Sequence, residues 1–194
     1  MEAAINTASQ HPTASQPPNI LVVDDESSVR TMFETKFHKQ IRRGELAFLF
    51  ACDGQEALEI LKDSPQIDVI FTDLNMPRMD GLTFLKHLKK NNGHIPTVVI
   101  TAWGNYDRLL EAINSGASGF LGKPINLAEL EQIIARCLRQ QEKMKRRIES
   151  LEHELLQAEK KALRLRDSNR ELLQRNRELE QKLMSAGALP AVAV

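Results

Sequence analysis

Five short apolar runs, at residues 20–23, 46–51, 69–71, 98–100 and 120–121, alternate along this chain with segments of helical periodicity. The helical segments fall near 27–38, 55–61, 82–90 and 106–115, and another begins near residue 127. Runs so short and so uniformly apolar read as strands covered on both faces. Strict alternation of strand and helix requires parallel strands joined by right-handed crossovers. The expected fold class is therefore α/β, a doubly wound five-stranded parallel sheet with helices on both sides. In such sheets the loops beyond the carboxyl ends of the strands build the site. Those ends carry the polar residues here: Asp24 and Asp25 after the first run, Asp73 after the third, Thr101 after the fourth and Lys123 after the fifth.

The remainder of the chain has a different character. Between Pro124 and Gly187 there is no Gly or Pro, and an uninterrupted helix over that stretch approaches 90 Å at about 1.5 Å per residue. Steps of three and four from Leu127 pass through Leu130, Ile134, Cys137 and Gln141. They continue through Met144, Ile148, Leu151, Leu155, Ala158, Ala162, Leu165, Asn169, Leu172, Asn176, Leu179 and Leu183. A helix lying on a globular core drifts off such a register, whereas a sustained 3.5 period specifies a left-handed coiled coil. The expected seam is Met144, Ile148, Leu151, Leu155, Leu165, Asn169, Leu172, Asn176, Leu179 and Leu183. Gln141, Asn169 and Asn176 all fall at position a, where a buried amide favours two parallel strands. The flanking charges support a parallel pair only in part. Arg147 meets Glu152 and Arg175 meets Glu180, but Glu154 faces Glu159 and Lys161 faces Arg166. A four-helix assembly, another partner and a solvated single helix stay open. The expected organisation is a disordered tail over 1–18, a sheet domain over 19–140, a coiled-coil helix over 141–184 continuing its last helix, and a flexible end over 185–194.

Charge and composition exclude several classes. Lys plus Arg and Asp plus Glu balance at 26 each, so no overall field attracts nucleic acid or anionic lipid. Two cysteines, Cys52 and Cys137, give no zinc spacing and no disulfide framework, and point to a reducing, cytoplasmic setting. The first eighteen residues lack the basic start and apolar run of a signal peptide. No apolar stretch reaches the roughly 18 residues that span a bilayer. The five histidines show no ligand spacing and read as surface residues.

A carboxylate attacks a phosphorylated donor only when anionic repulsion is relieved, and a divalent cation does this. Asp24, Asp25 and Asp73 are its candidate ligands, and Mg²⁺ suits them because it keeps water and phosphate oxygens in its remaining positions. Lys123 offers a mobile positive charge and Thr101 a hydroxyl donor. Taken singly each has a plainer reading: Asp24 and Asp25 as helix caps, Asp73 as a strand-end turn, Thr101 as a cap, Lys123 as a surface lysine.

Together the motifs resemble the CheY-like receiver domains of bacterial two-component response regulators. The resemblance rests on Ile-Leu-Val-Val-Asp-Asp-Glu at 20–26, Thr-Asp-Leu-Asn-Met-Pro at 72–77 with Asp80-Gly81, and Val-Ile-Thr-Ala at 99–102. Gly116-Ala117 and Lys123-Pro124 complete it. It covers the chain from about Asn19 into the last helix and implies a flavodoxin-like receiver. It implies Asp73 as phosphoacceptor from a cognate histidine kinase, Asp25 as a direct Mg²⁺ ligand, Asp24 as a ligand through water and Asn75 as a ligand through its backbone carbonyl. Lys123 would pair with the phosphoryl group, with a cis bond to Pro124. Thr101 and Phe120 would form the switch pair, and Ala102 would leave access for the donor. Beyond slow self-dephosphorylation, no enzymatic activity is expected. Two departures stand out: the basic segment 40–45 lengthens the connection to the second strand, and Trp103 is a bulky neighbour for the site.

Three outputs follow from these readings. In the first, the coil is itself the output, a parallel homodimer that docks a protein partner. In the second, the chain is a regulatory fragment controlling a separate cyclase or phosphatase domain. In the third, the helix binds nucleic acid through Lys143, Lys145, Arg146 and Arg147 and the stretch 169–177. Against the third, these bases are interleaved with acids inside the seam, whereas basic-region helices place them before it.

Overall fold

The computed structural model describes residues 16–63, 66–102 and 106–185. Trp103 and the two outer tails, 1–15 and 186–194, lie outside the described residues. Five strands, β1 (Asn19–Val23), β2 (Ala47–Ala51), β3 (Val69–Asp73), β4 (Thr97–Ala102) and β5 (Gly119–Lys123), pair parallel throughout in the order β2-β1-β3-β4-β5. Among the described residues six helices accompany them: α1 (Ser27–Lys36), α2 (His38–Arg42), α3 (Gly54–Asp63), α4 (Gly81–Asn91), α5 (Tyr106–Asn114) and α6 (Leu127–Ser185). This is the doubly wound α/β architecture that alternation demands.

The sheet is covered on both faces, which is why its strands read as unbroken apolar runs. Side chains alternate across β1. Ile20 and Val22 join Phe33, Phe71, Ile100, Leu121, Leu130 and Ile134 in one core layer. Leu21 and Val23 join Ala57, Ile70, Phe84 and Leu88 in the other. Phe33 anchors the first layer edge-on to Phe71 and Phe48, with ring centroids 5.6 and 5.7 Å away. Such pairs add to the transfer energy of the rings themselves.

The basic connection after α1 folds into the additional short helix α2, and Gly44 takes φ 66° to turn the chain into β2. In α6, a single helix of 59 residues, the first turns belong to the sheet domain. Leu130, Ile133, Ile134 and Cys137 are buried in its core. The Gln141 amide donates to the His94 carbonyl at 3.1 Å. The early heptad positions therefore pack on the sheet, and Gln141 is engaged there by the His94 carbonyl. A second compact unit begins at Lys143. From there to Ser185 every residue of the helix is exposed. Among the described residues no helix is long and apolar enough to cross a membrane.

Candidate functional site

The strand order reverses direction at β1, between β2 and β3, and an open parallel sheet opens a crevice at such a point. Asp24 follows β1 and Asp73 ends β3, so the two acids flank that crevice. Asp24 is held there by its own amide, which donates to the Ala51 carbonyl at 3.0 Å, and its Oδ1 accepts from the Glu26 amide at 2.9 Å. Asp73 Oδ2 accepts from the Asn75 amide at 3.1 Å. Both carboxylates are almost wholly covered, their side chains 2% and 8% exposed.

Lys123, the last residue of β5, closes the group from the other side. Its Nζ lies 2.8 Å from Glu26 Oε1, 3.1 Å from Asp24 Oδ2 and 3.7 Å from Asp73 Oδ1. The Lys123–Pro124 peptide is cis. Burial opposes the ammonium charge, yet the hydrogen bond to Glu26 and the ion pairs to Asp24 and Asp73 outweigh it and hold the Lys123 pKa above the ordinary lysine range. For the acids the balance runs the other way. Burial pushes the Asp24 carboxyl up despite the Glu26 amide and Lys123, and the Asp73 charge adds to the push. Burial likewise raises Asp73 against Lys123 and the Asn75 and Leu74 amides, with Asp25 adding to the rise.

A carboxyl whose native pKa stands above its unfolded value binds its proton more tightly in the folded chain. Stability is then lost as pH climbs from the ordinary aspartate range through the raised native value. Asp24→Asn removes one such group. The variant is expected to melt a few degrees higher than the unsubstituted chain at pH 7 without metal. The gap should close as the pH falls to the ordinary aspartate range. Melting curves across that pH range check it, and equal melting temperatures at pH 7 would count against the burial argument.

Asp24 Oδ2 bears on the fit to a cation. It is buried and, though ion-paired to Lys123, lacks a hydrogen bond of good geometry. Two covered acids whose carboxyls burial pushes up, an exposed third acid at Asp25 and a nearby backbone carbonyl make an oxygen-only donor set suited to a hard divalent ion. Among the described residues no three acidic, histidine or cysteine side chains stand ready-made around a metal position. The fit is thus to an ion that keeps water and substrate oxygens, as Mg²⁺ does, and not to one held in a closed protein cage.

The remaining candidates are spread around this centre. Thr101 is buried near the end of β4, and its hydroxyl donates to the Ala102 carbonyl at 3.4 Å. Phe120 on β5 is 53% exposed. Asn75 is exposed on the loop after β3, and its side-chain oxygen accepts from Arg108.

Several residues that sequence reasoning passed over brace this loop. Arg108 on α5 also reaches Asp80 Oδ2 at 2.8 Å and the Leu74 carbonyl at 3.4 Å. Asp80 caps α4 by accepting from the Thr83 amide at 2.8 Å. Arg78, at φ 58°, pairs with Asp53, whose buried carboxylate caps α3 through the Gln55 and Glu56 amides. Glu26 was legible as the third acid of the run Asp-Asp-Glu. Arg108 and Asp53 sit in other crossovers, and nothing local in the sequence marks them.

The profile of the response regulator receiver domain matches residues 20–135. The regulatory protein AtoC of Escherichia coli is 36% identical over 138 residues, which are 70% of this chain and 28% of that protein. The DNA-binding transcriptional regulator NtrC of Proteus hauseri is 35% identical over 125 residues, 63% of this chain and 25% of that one. The chain thus spans less than a third of the length of these curated relatives. Among solved structures, chemotaxis response regulator CheY4 of Vibrio cholerae superposes with a TM-score of 0.56 at 31% identity, covering 63% of this chain and 99% of that one. A receiver domain protein from Clostridium thermocellum gives 0.59 at 26% identity, covering 66% and 98%. Sheet order, the crevice residues and these matches agree, and the chain belongs to the response regulator receiver domain family.

Proposed function

We propose that this chain is a two-component response regulator that takes a phosphoryl group onto Asp73 from a histidine kinase in a Mg²⁺-dependent reaction, and that its long helix pairs in parallel with a second copy to carry the output. The observation that carries the reading is Lys123 Nζ standing within 4 Å of both Asp24 and Asp73 at the reversal point of the sheet. That arrangement places a fixed cation beside a covered carboxylate, where an incoming phosphoryl group needs charge compensation.

In the reaction an oxygen of the Asp73 carboxylate attacks the phosphorus of a phosphohistidine. The new O–P bond forms as the N–P bond breaks, and the departing imidazole keeps the electron pair and takes a proton from water. Asp24, Asp25, Asp73 and the Asn75 carbonyl would hold Mg²⁺, which supplies charge neutralisation between donor and acceptor. Lys123 exchanges part of its pairing with Asp24 and Glu26 for the phosphoryl oxygens. Among the described residues the Thr101 hydroxyl is bonded only to its neighbour's carbonyl at long range, so turning to the phosphoryl group costs it little. Phe120, exposed in this structure, turns into the space that Thr101 leaves. Loss of the phosphoryl group is slow self-hydrolysis, and the chain has no further enzymatic role in this reading.

Output passes to the helix through β5, which carries Phe120 and leads directly into α6. Met144, Ile148, Leu151, Leu155, Leu165, Leu172, Leu179 and Leu183 are exposed apolar residues on one heptad register. A parallel pair buries them, with Asn169 and Asn176 fixing the register. The matched region of the DNA-binding relatives is the receiver, so the likeness supports a shared input and not a shared output. A cytoplasmic setting follows from the kinase and Mg²⁺ requirements.

Beryllofluoride with Mg²⁺ tests input and coupling together. One beryllofluoride is expected per chain, Mg²⁺-dependent and absent in Asp73→Asn, measured by fluorine magnetic resonance. Cysteines at positions 144, 151 and 179 should cross-link to their own copies, and the pattern along the seam should shift when beryllofluoride binds. Identical patterns with and without it defeat the coupling.

A further inference from the structure

The exposed half of α6 carries a second row beside the seam. One step after the a and d positions, about 100° around the helix, lie Glu149, Glu152, Leu156, Glu159, Leu163, Arg166, Arg170, Leu173 and Arg177. The row keeps the spacing of three and four, so it forms one continuous stripe along a coiled-coil helix. Leu156, Leu163 and Leu173 on it are 48, 50 and 61% exposed, and the parallel seam leaves them uncovered. Between Glu149 and Arg177 its charge is segregated, acids and leucines up to Leu163 and arginines and a leucine from Arg166, while Lys145 before this stretch and Glu180 after it break the pattern.

We infer that this row binds the same row of a second copy running antiparallel, about a two-fold axis between Arg164 and Leu165, so that parallel pairs join side by side into assemblies of four or more chains. Turning the helix end for end about that axis sets Glu152 against Arg177, Leu156 against Leu173, Glu159 against Arg170 and Leu163 against Arg166. Every acid between the ends meets an arginine, and the leucines meet a leucine or the aliphatic stem of an arginine. The same row laid parallel on itself puts Glu on Glu and Arg on Arg, a repulsive arrangement at every charged position. Beyond Glu152 the complementarity stops, because Glu149 meets Glu180, and this sets the length of the contact at about 38 Å. The contact is isologous, so the row of one copy is filled by the row of one other copy, and a parallel pair, which presents two such rows on opposite sides, can take up further pairs. It also gives Glu159 and Arg166 opposite or apolar partners, whereas across the parallel seam they face Glu154 and Lys161.

The inference rests on the parallel pair for assembly beyond two copies, but not for the antiparallel contact. Sedimentation of the full chain at moderate salt is expected to give four copies or more. Glu152→Arg with Glu159→Arg should reduce that mass to two copies, as should Arg170→Glu with Arg177→Glu, with helical circular dichroism retained. Combining all four substitutions should restore the larger assembly. In a Cys52→Ser background, a mixture of chains carrying Leu156→Cys and chains carrying Leu173→Cys should cross-link to each other, because 156 and 173 of one helix lie roughly 26 Å apart. A two-copy mass that keeps the 156–173 cross-link upholds the row and removes the parallel seam. Unchanged mass on either charge reversal, failure of the combined variant to regain the unsubstituted mass, or cross-linking of 156 only to 156 overturns the antiparallel row.

Discussion

Replacing Asp73 with Asn will abolish uptake of a phosphoryl group from acetyl phosphate or a phosphorylated histidine kinase, while leaving the fold intact. The amide keeps the shape that fills the end of β3 and can still accept from the Asn75 amide, which in the unsubstituted chain meets Asp73 Oδ2 at 3.1 Å. It has no anionic oxygen to attack phosphorus. Burial also makes a charged group at this position costly, so the variant loses reactivity without losing stability. Lys123→Ala will act differently: the nucleophile survives, but the cation that would compensate the phosphoryl charge is gone. Removing one such electrostatic partner costs on the order of 10²–10³ in rate. Intact-mass measurement of phosphoryl incorporation, with and without Mg²⁺, checks both. Undiminished incorporation in Asp73→Asn would show that the nucleophile lies elsewhere.

Gly81→Ala will damage both stability and phosphoryl uptake, although it adds a single methyl group at the first residue of a helix. A Cβ there would stand 2.0 Å from the backbone oxygen of Asp73 and 3.0 Å from the Leu74 Cα. No flexible side chain can yield, since the clash is with the backbone of the acceptor residue itself. Nor can α4 back away freely. Asp80 caps it and is held by Arg108, while Leu82, Phe84 and Leu85 are buried behind it. Overpacking of this kind costs about 1–3 kcal/mol, occasionally more. The strain falls on the loop that carries Asp73 and the Asn75 carbonyl, so slower phosphoryl uptake should accompany the lower melting point. Thermal melts alongside the incorporation assay check it, with Asp73→Asn as the contrast that loses uptake alone. A Gly81→Ala chain that melts with the parent would show that the loop has room the structure denies it.

The two predictions differ in how far the sequence alone supports them. Asp73 is legible because it ends an apolar run inside a spaced set of motifs. Gly81 is legible as a backbone device after Asp80, but its reason is not: the close approach to Asp73 exists only once β3 and α4 are packed. The bracing by Arg108 and by Asp53 with Arg78 was not legible at all. These contacts join crossovers separated by 28 and 25 positions in the chain, and local composition carries no trace of which charged side chains will meet.

Periodicity and strand-end chemistry sufficed to determine the α/β fold class, the parallel sheet and the rim where Asp24, Asp73, Thr101 and Lys123 gather. The period of apolar residues depends only on local geometry, and parallel crossovers allow few topologies. Tertiary structure decided the rest. It assigned Leu130, Ile134 and Cys137 to the sheet core, engaged Gln141 with His94, left Phe120 exposed and drew Glu26 onto Lys123. Which of several chemically equivalent partners a side chain finds depends on distances across the sheet, and those are set only when all the layers have packed together.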